Sequence, residues 1–117
     1  MSRKFLFGGY TEAAWESKPD GLWKTDPGAF IFSLKNALST SCKLKTNFPT
    51  KSIFCHSEWG PIFGNFDIKI NLNTKENNTS DLGKTYQLPP FISGQARAFL
   101  AGSHNFILSE LEVFIKQ

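Results

Sequence analysis

The sequence predicts an all-β or mostly-β fold, and three observations carry that prediction. Phe and β-branched residues recur in short blocks separated by Gly, Pro, Asn, Ser and Thr, the composition of strands and turns rather than of long helices. The chain holds 12 Phe and 3 Trp, enough large side-chain surface to fill a core. From Asn65 to Asn73, Phe66, Ile68, Ile70 and Leu72 alternate with Asn65, Asp67, Lys69, Asn71 and Asn73, which reads as a strand with one core face and one wet face. With 117 residues, one domain over 1–117 is expected, since a second core could not be enclosed.

In chain order, Lys4 to Phe7 reads as a short strand stopped by Gly8-Gly9, a tight exit whose glycines supply positive φ. The stretch ESKPDGLWKTDPG reads as a loop with turns at Pro19-Asp20-Gly21 and Asp26-Pro27-Gly28. Ala29 to Leu34 is a strand apolar on both faces, hence central and covered twice. Ser52 to His56 is the next strand, followed by a bend punctuated by Gly60-Pro61 and Gly64. After the alternating segment, Asn71 to Ser80 reads as a polar loop, and Leu82 to Leu88 as a returning strand ended by Pro89-Pro90. Phe106 to Lys116 fits both helical and strand spacing, and its β-branched residues tip it toward strand.

The formal charge of +3 and a pI near 9.0 are mildly basic. From Pro27 to Ser57 there is no acid, while Lys35, Lys43, Lys45 and Lys51 all fall there. The segment can meet an acidic partner, although a solvated loop is the simpler reading; lysines without arginine forks make a poor phosphate-tracking surface, so nucleic-acid binding is not expected. The N-terminal apolar stretch is too short for a signal-peptide core, and no apolar run is long enough to span a membrane. A soluble, cytoplasmic protein without membrane insertion is expected. Cys42 and Cys55 then read as reduced, half-buried thiols. Asn77-Asn78-Thr79 and Asn78-Thr79-Ser80 match the glycosylation acceptor pattern and read here as a polar turn.

Chemistry finds few candidates. Cys55-His56 and Ser103-His104 pair a nucleophile with a base, yet neighbours on a strand point to opposite faces. Glu110 and Glu112 share a strand face and, with Asp67, can form a carboxylate cluster; an exposed strand face, or a single Glu that caps loop N–H groups, is the simpler reading. Gly8-Gly9 lacks the further glycine of a dinucleotide fingerprint and the Lys-Ser/Thr of a phosphate loop. No catalysis, cofactor or metal is expected. Trp15, Trp23 and Trp59 lie in or near loops, where an exposed ring can stack a sugar or simply pack half-buried.

Taken together, Phe7-Gly8-Gly9-Tyr10-Thr11 with Trp15, then Asp26 through Leu34, then Gly60-Pro61-Ile62-Phe63-Gly64 with Asp67-Ile68, resemble the TLDc family in residues, order and spacing. Ser80, Leu82-Gly83 and Tyr86 look like the family's segment before its last strands, and Phe106 with Glu110-Leu111-Glu112-Val113-Phe114 like its terminal strand. The resemblance implies a sandwich of two antiparallel sheets flanked by short helices, in eukaryotic proteins associated with oxidative-stress resistance. Several members of the family engage the vacuolar proton-pumping ATPase. By carry-over, Gly8 and Gly9 match its paired glycines, Gly60 and Gly64 its central bend, and Glu110 and Glu112 its terminal acidic pair. A full family domain carries further helices and a strand ahead of the position of Phe7, so an exposed strand edge relieved by dimerisation or a protein partner is expected. The residues expected to meet such a partner or a ligand are Trp23, Trp59, Lys43 and Lys45.

Overall fold

The computed structural model describes residues 5–36, 39–71, 78–90, 92 and 96–107. Within them, strands β1 (Leu6–Tyr10), β2 (Leu22–Lys24), β3 (Phe30–Lys35), β4 (Cys42–Lys45), β5 (Ile53–Cys55), β6 (Ile62–Phe63), β7 (Ile68–Lys69), β8 (Asn78–Ser80) and β9 (Asn105–Phe106) form two sheets. The smaller runs β1-β3-β4 and the larger β2-β5-β6-β7-β8-β9, with every pairing antiparallel. The β-sandwich predicted from the sequence is the fold. The flanking helices implied by the resemblance are represented, among the described residues, by a single 3-10 turn at Pro49–Lys51.

Alternation decides which side of each strand turns in. In the smaller sheet Gly9, Ile31 and Leu44 are in register across the strands, as are Phe7, Ser33 and Cys42, and these point at the larger sheet. The larger sheet answers with Ile53, Cys55, Phe63, Ile68 and Phe106, and the buried Phe99 and Leu100 join the same core. Burying an aliphatic side chain of this size contributes about 1.5–3 kcal/mol. β3 is therefore central, as expected, but covered on one face only: Ile31 and Ser33 are buried while Phe30 and Phe32 are half-buried and Leu34 is exposed.

Several expectations are overturned. Gly8 and Gly9 do not stop β1, which runs through them to Tyr10, and neither has positive φ. The loop between the first strands contains β2; its two turns are real, closed by Gly21 N–H to Lys18 O and Ala29 N–H to Asp26 O, both 3.1 Å. The lysine-bearing segment read as loop contains β4, whose Leu44 points in and whose Lys43 and Lys45 point out. The alternating strand at Asn65 to Asn73 shrinks to β7 because Phe66 takes φ 66° and reverses the chain, which puts Asp67 in the interior.

Further along, Asn78 to Ser80 is strand, not loop or turn, and both flanking side chains are buried. Their polarity is met internally: Asn78 Oδ1 accepts from Asn71 N–H at 2.7 Å, its Nδ2 donates to Phe106 O, and Ser80 Oγ donates to Arg97 O. Leu82 to Leu88 is not a strand; it turns and touches the smaller sheet through one bridge, Thr46 to Tyr86. The terminal strand is seen only as β9, and Leu72 to Asn77 and the chain beyond Ile107, with Glu110 and Glu112, lie outside the described residues.

Candidate interaction surface

The glycine pair is structural, for a reason other than backbone freedom. A Cβ on Gly8 would sit 2.7 Å from Cζ of Phe32 on the outer face, and one on Gly9 would sit 2.5 Å from Cζ of Phe63 in the core. Each glycine leaves room for a ring. Trp15 closes on the same Phe63 ring edge-on, at 5.6 Å between centroids, and Tyr86 meets that ring edge-on at 6.3 Å. Gly60 is buried before the bend, and Gly64, at φ 67°, leaves no space between Asp67 and Thr85.

Asp67 organises that bend. Its Oδ2 accepts N–H bonds from Gly83, Lys84 and Tyr86, each 3.1 Å, and its Oδ1 accepts one from Thr85 at 3.0 Å. Burial pushes its carboxyl above the ordinary carboxylate range, against the pull of the Tyr86, Thr85 and Lys84 N–H groups. The carboxylate fastens a loop rather than joining a cluster with the glutamates. Asp26 does the same for the segment after β1, accepting from Thr11 Oγ1 at 2.6 Å, Glu12 N–H at 2.8 Å and Gly28 N–H at 3.0 Å. Burial raises its carboxyl too, but the bonds from Thr11, Glu12 and Gly28 outweigh it and hold it below the ordinary range.

Neither nucleophile–base pair is assembled. Cys55 is buried in the core, whereas His56 stacks on Trp59 and takes the Glu58 N–H on Nδ1 at 3.1 Å. His104 spends Nδ1–H on Ser80 O at 2.7 Å, and Ser103 bonds Asn105 O. Cys42 is half-buried, and burial pushes its thiol up, away from reactivity. Among the described residues no group of His, Cys, Asp and Glu is placed to hold a metal ion. Among the described residues no helix is long and apolar enough to cross a membrane.

The four contact candidates fall on opposite sides of the sandwich. Trp23 and Trp59 sit on the outer face of the larger sheet, joined through Phe54 at 4.8 and 6.3 Å. Ile62, which faces Phe54 and Lys69 across the ladder, is fully buried beneath this cluster although it lies outside the main core. Trp23 is half-buried there, whereas Trp59 is 38% exposed. Trp59 already carries His56 stacked at 4.8 Å and the Lys69 ammonium 4.7 Å from its centroid.

Lys43 and Lys45 rise from the outer face of the smaller sheet, in register with Phe32 and Phe30. Tyr10 stacks on Phe30 at 5.1 Å, Phe32 follows at 6.3 Å, and Lys43 Nζ lies 4.2 Å from the Phe30 centroid. Lys45 was readable as a contact candidate from charge; the aromatic row beside it was not, because the glycine opposite Phe32 hides its strand. The signal lay in Tyr10, Phe30 and Phe32, which alternation across Gly8 places on one side.

With this architecture in view, a family model described as the TLDc domain matches residues 1–116. The chain belongs to the TLDc domain family. No curated protein and no solved structure is detectably similar to it. The TLDc pattern covers both sheets, and the residues that carried the resemblance divide by role: Gly9, Gly64 and Asp67 build the interior, Trp15 packs on Phe63 while remaining exposed, and Gly8 serves an outward ring. The TLDc acidic pair, Glu110 and Glu112, lies outside the described residues.

Proposed function

We propose that this TLDc chain is a non-catalytic protein-interaction module. The observation that supports it is the outer face of the smaller sheet, where half-buried rings and an exposed Leu34 stand beside Lys43 and Lys45. The engagement of its side chains points the same way: the interior carboxylates bind loop N–H groups, and the histidines bind backbone atoms. Membership of the TLDc family adds a partner, the peripheral sector of the vacuolar proton-pumping ATPase, and with it a role in oxidative-stress resistance in a eukaryotic cytoplasm; both rest on analogy within the family.

The experiment is a pull-down with folded, tagged protein from eukaryotic lysate, read by mass spectrometry. Recovery of pump subunits is the expected result; a folded bait that brings down none removes this partner. The rival reading, a sugar stacked on Trp23 or Trp59, has less support because Trp59 already carries His56 and Lys69, and Trp23 packs on Phe54 under the Lys51 ammonium. Unchanged tryptophan fluorescence across a glycan series disposes of it.

A further inference from the structure

Both outer faces of the sandwich carry aromatic rings. On the larger sheet the fully buried Ile62 stands in register with Phe54 of the aromatic cluster. On the smaller sheet Phe30 and Phe32 are half-buried beside Tyr10, and Leu34 continues the row at 54% exposure. Lys43 and Lys45 flank this row, and among the described residues neither forms an ion pair. No acid occurs in β3, β4 or β5, so nothing on these strands offsets the charge. Glu12 stands at the far end, where it accepts the Tyr10 hydroxyl.

We propose that this face docks an acidic protein segment bearing aromatic or aliphatic side chains. The segment's carboxylates meet Lys43 and Lys45, and its apolar groups lie on Phe30, Phe32 and Leu34. This rests on the reading of the chain as an interaction module and names the chemistry of its partner. Charge complementarity selects the occupant. A second copy of the chain docked face to face would set these lysines against their own equivalents, at a repulsive cost. A nucleic acid fits less well, because the cations flanking the row are lysines without the arginine forks that track phosphate.

The test uses the whole chain and a fluorescent Glu/Tyr copolymer as probe, with oligo-dT and phosphatidylserine vesicles as competitors. Two charge-reversal variants change the net charge equally: Lys43→Glu with Lys45→Glu on this face, and Lys51→Glu with Lys69→Glu on the other. The expected result is that the first variant binds the copolymer about tenfold more weakly, the second binds like the parent, and salt weakens parental binding. Thermal unfolding of both variants establishes that they fold; should the first not fold, Lys43→Ala with Lys45→Ala is expected to show a smaller loss in the same direction. Equal losses in both variants, no binding of the copolymer, or preference for oligo-dT or vesicles overturns the proposal. The pump pull-down reads the module assignment separately: pump capture with no copolymer binding removes this face and leaves the module.

Discussion

Gly9 lies so close under the ring of Phe63 that a Cβ there would stand 2.5 Å from Cζ. Phe63 is buried and hemmed in by Trp15 and Tyr86, so it cannot swing away. Gly9→Ala should therefore cost about 1–3 kcal/mol through overpacking. Gly8→Ala should cost less, because Phe32 is half-buried and can turn toward solvent. Urea denaturation of the two variants checks the order; a larger loss at Gly8 would contradict the ring-contact account.

Asp67 accepts N–H bonds from four consecutive residues, Gly83 to Tyr86. An amide at this position would turn a donor toward other donors. Asp67→Asn should destabilise by about 1–3 kcal/mol, the cost of leaving buried donors unmet. Hydrogen exchange should show the 83–86 amides losing protection first, ahead of those in β3; uniform loss would mean that the loop is not fastened by this carboxylate.

Acid stability separates the two buried aspartates by sign. The folded-state pKa of Asp26 is held below its ordinary 3.8, so its contribution is present above that pH and lost as pH falls through the depressed value. Asp67 is shifted upward from 3.8, so its contribution is present below that pH and lost as pH rises through the raised value. Thr11→Val, which removes the 2.6 Å bond to Asp26, should move the acid-unfolding midpoint to higher pH. Circular dichroism against pH measures it, and an unmoved midpoint would remove Asp26 from the acid limb.

Tyr86 is buried and its hydroxyl donates to Ser52 O at 2.5 Å. Tyr86→Phe should cost about 1–2 kcal/mol by leaving that carbonyl unmet. Burial, then the charges of Asp67 and Asp26, push the phenol up from 10.0, so the stability it confers is complete below that pH and lost as pH rises beyond it. In the parent, one step of tyrosinate absorbance should coincide with alkaline unfolding, and Tyr86→Phe should lack it. A tyrosinate step in the folded protein that disappears in this variant would contradict the burial.

The sequence carried the fold wherever apolar residues alternated without interruption or stood in a short block. Ser52 to His56 was readable as strand, and the turns at Gly21 and Gly28 were readable from their residues. Cys42 to Lys45 alternates just as clearly, but its charge drew the reading toward loop. Asn65 to Asn73 failed for the opposite reason: its alternation is regular, yet Phe66 adopts φ 66° because Asp67 is drawn inward by the loop N–H groups. A buried acid does not announce itself in a pattern that treats charge as exposed. Asn78 and Ser80 were misread likewise, since their partners lie far along the chain. The outer aromatic row escaped notice because Gly8 and Gly9 were read as a break in β1 rather than as space for two rings.

The contact between Gly9 and Phe63 also bears on how the chain reaches its native state. β1 pairs only with β3 among the described residues, yet its inward face is filled by a ring from β6, a strand of the other sheet. A hairpin of β3 and β4 can assemble early, from neighbours in sequence. Seating Phe63 against Gly9 must wait for a long loop to close, and folds built on such distant pairings cross their barrier on the order of milliseconds to seconds. Until that ring arrives, β1 carries an empty notch at Gly9, a gap left by a missing side chain and filled from the other sheet.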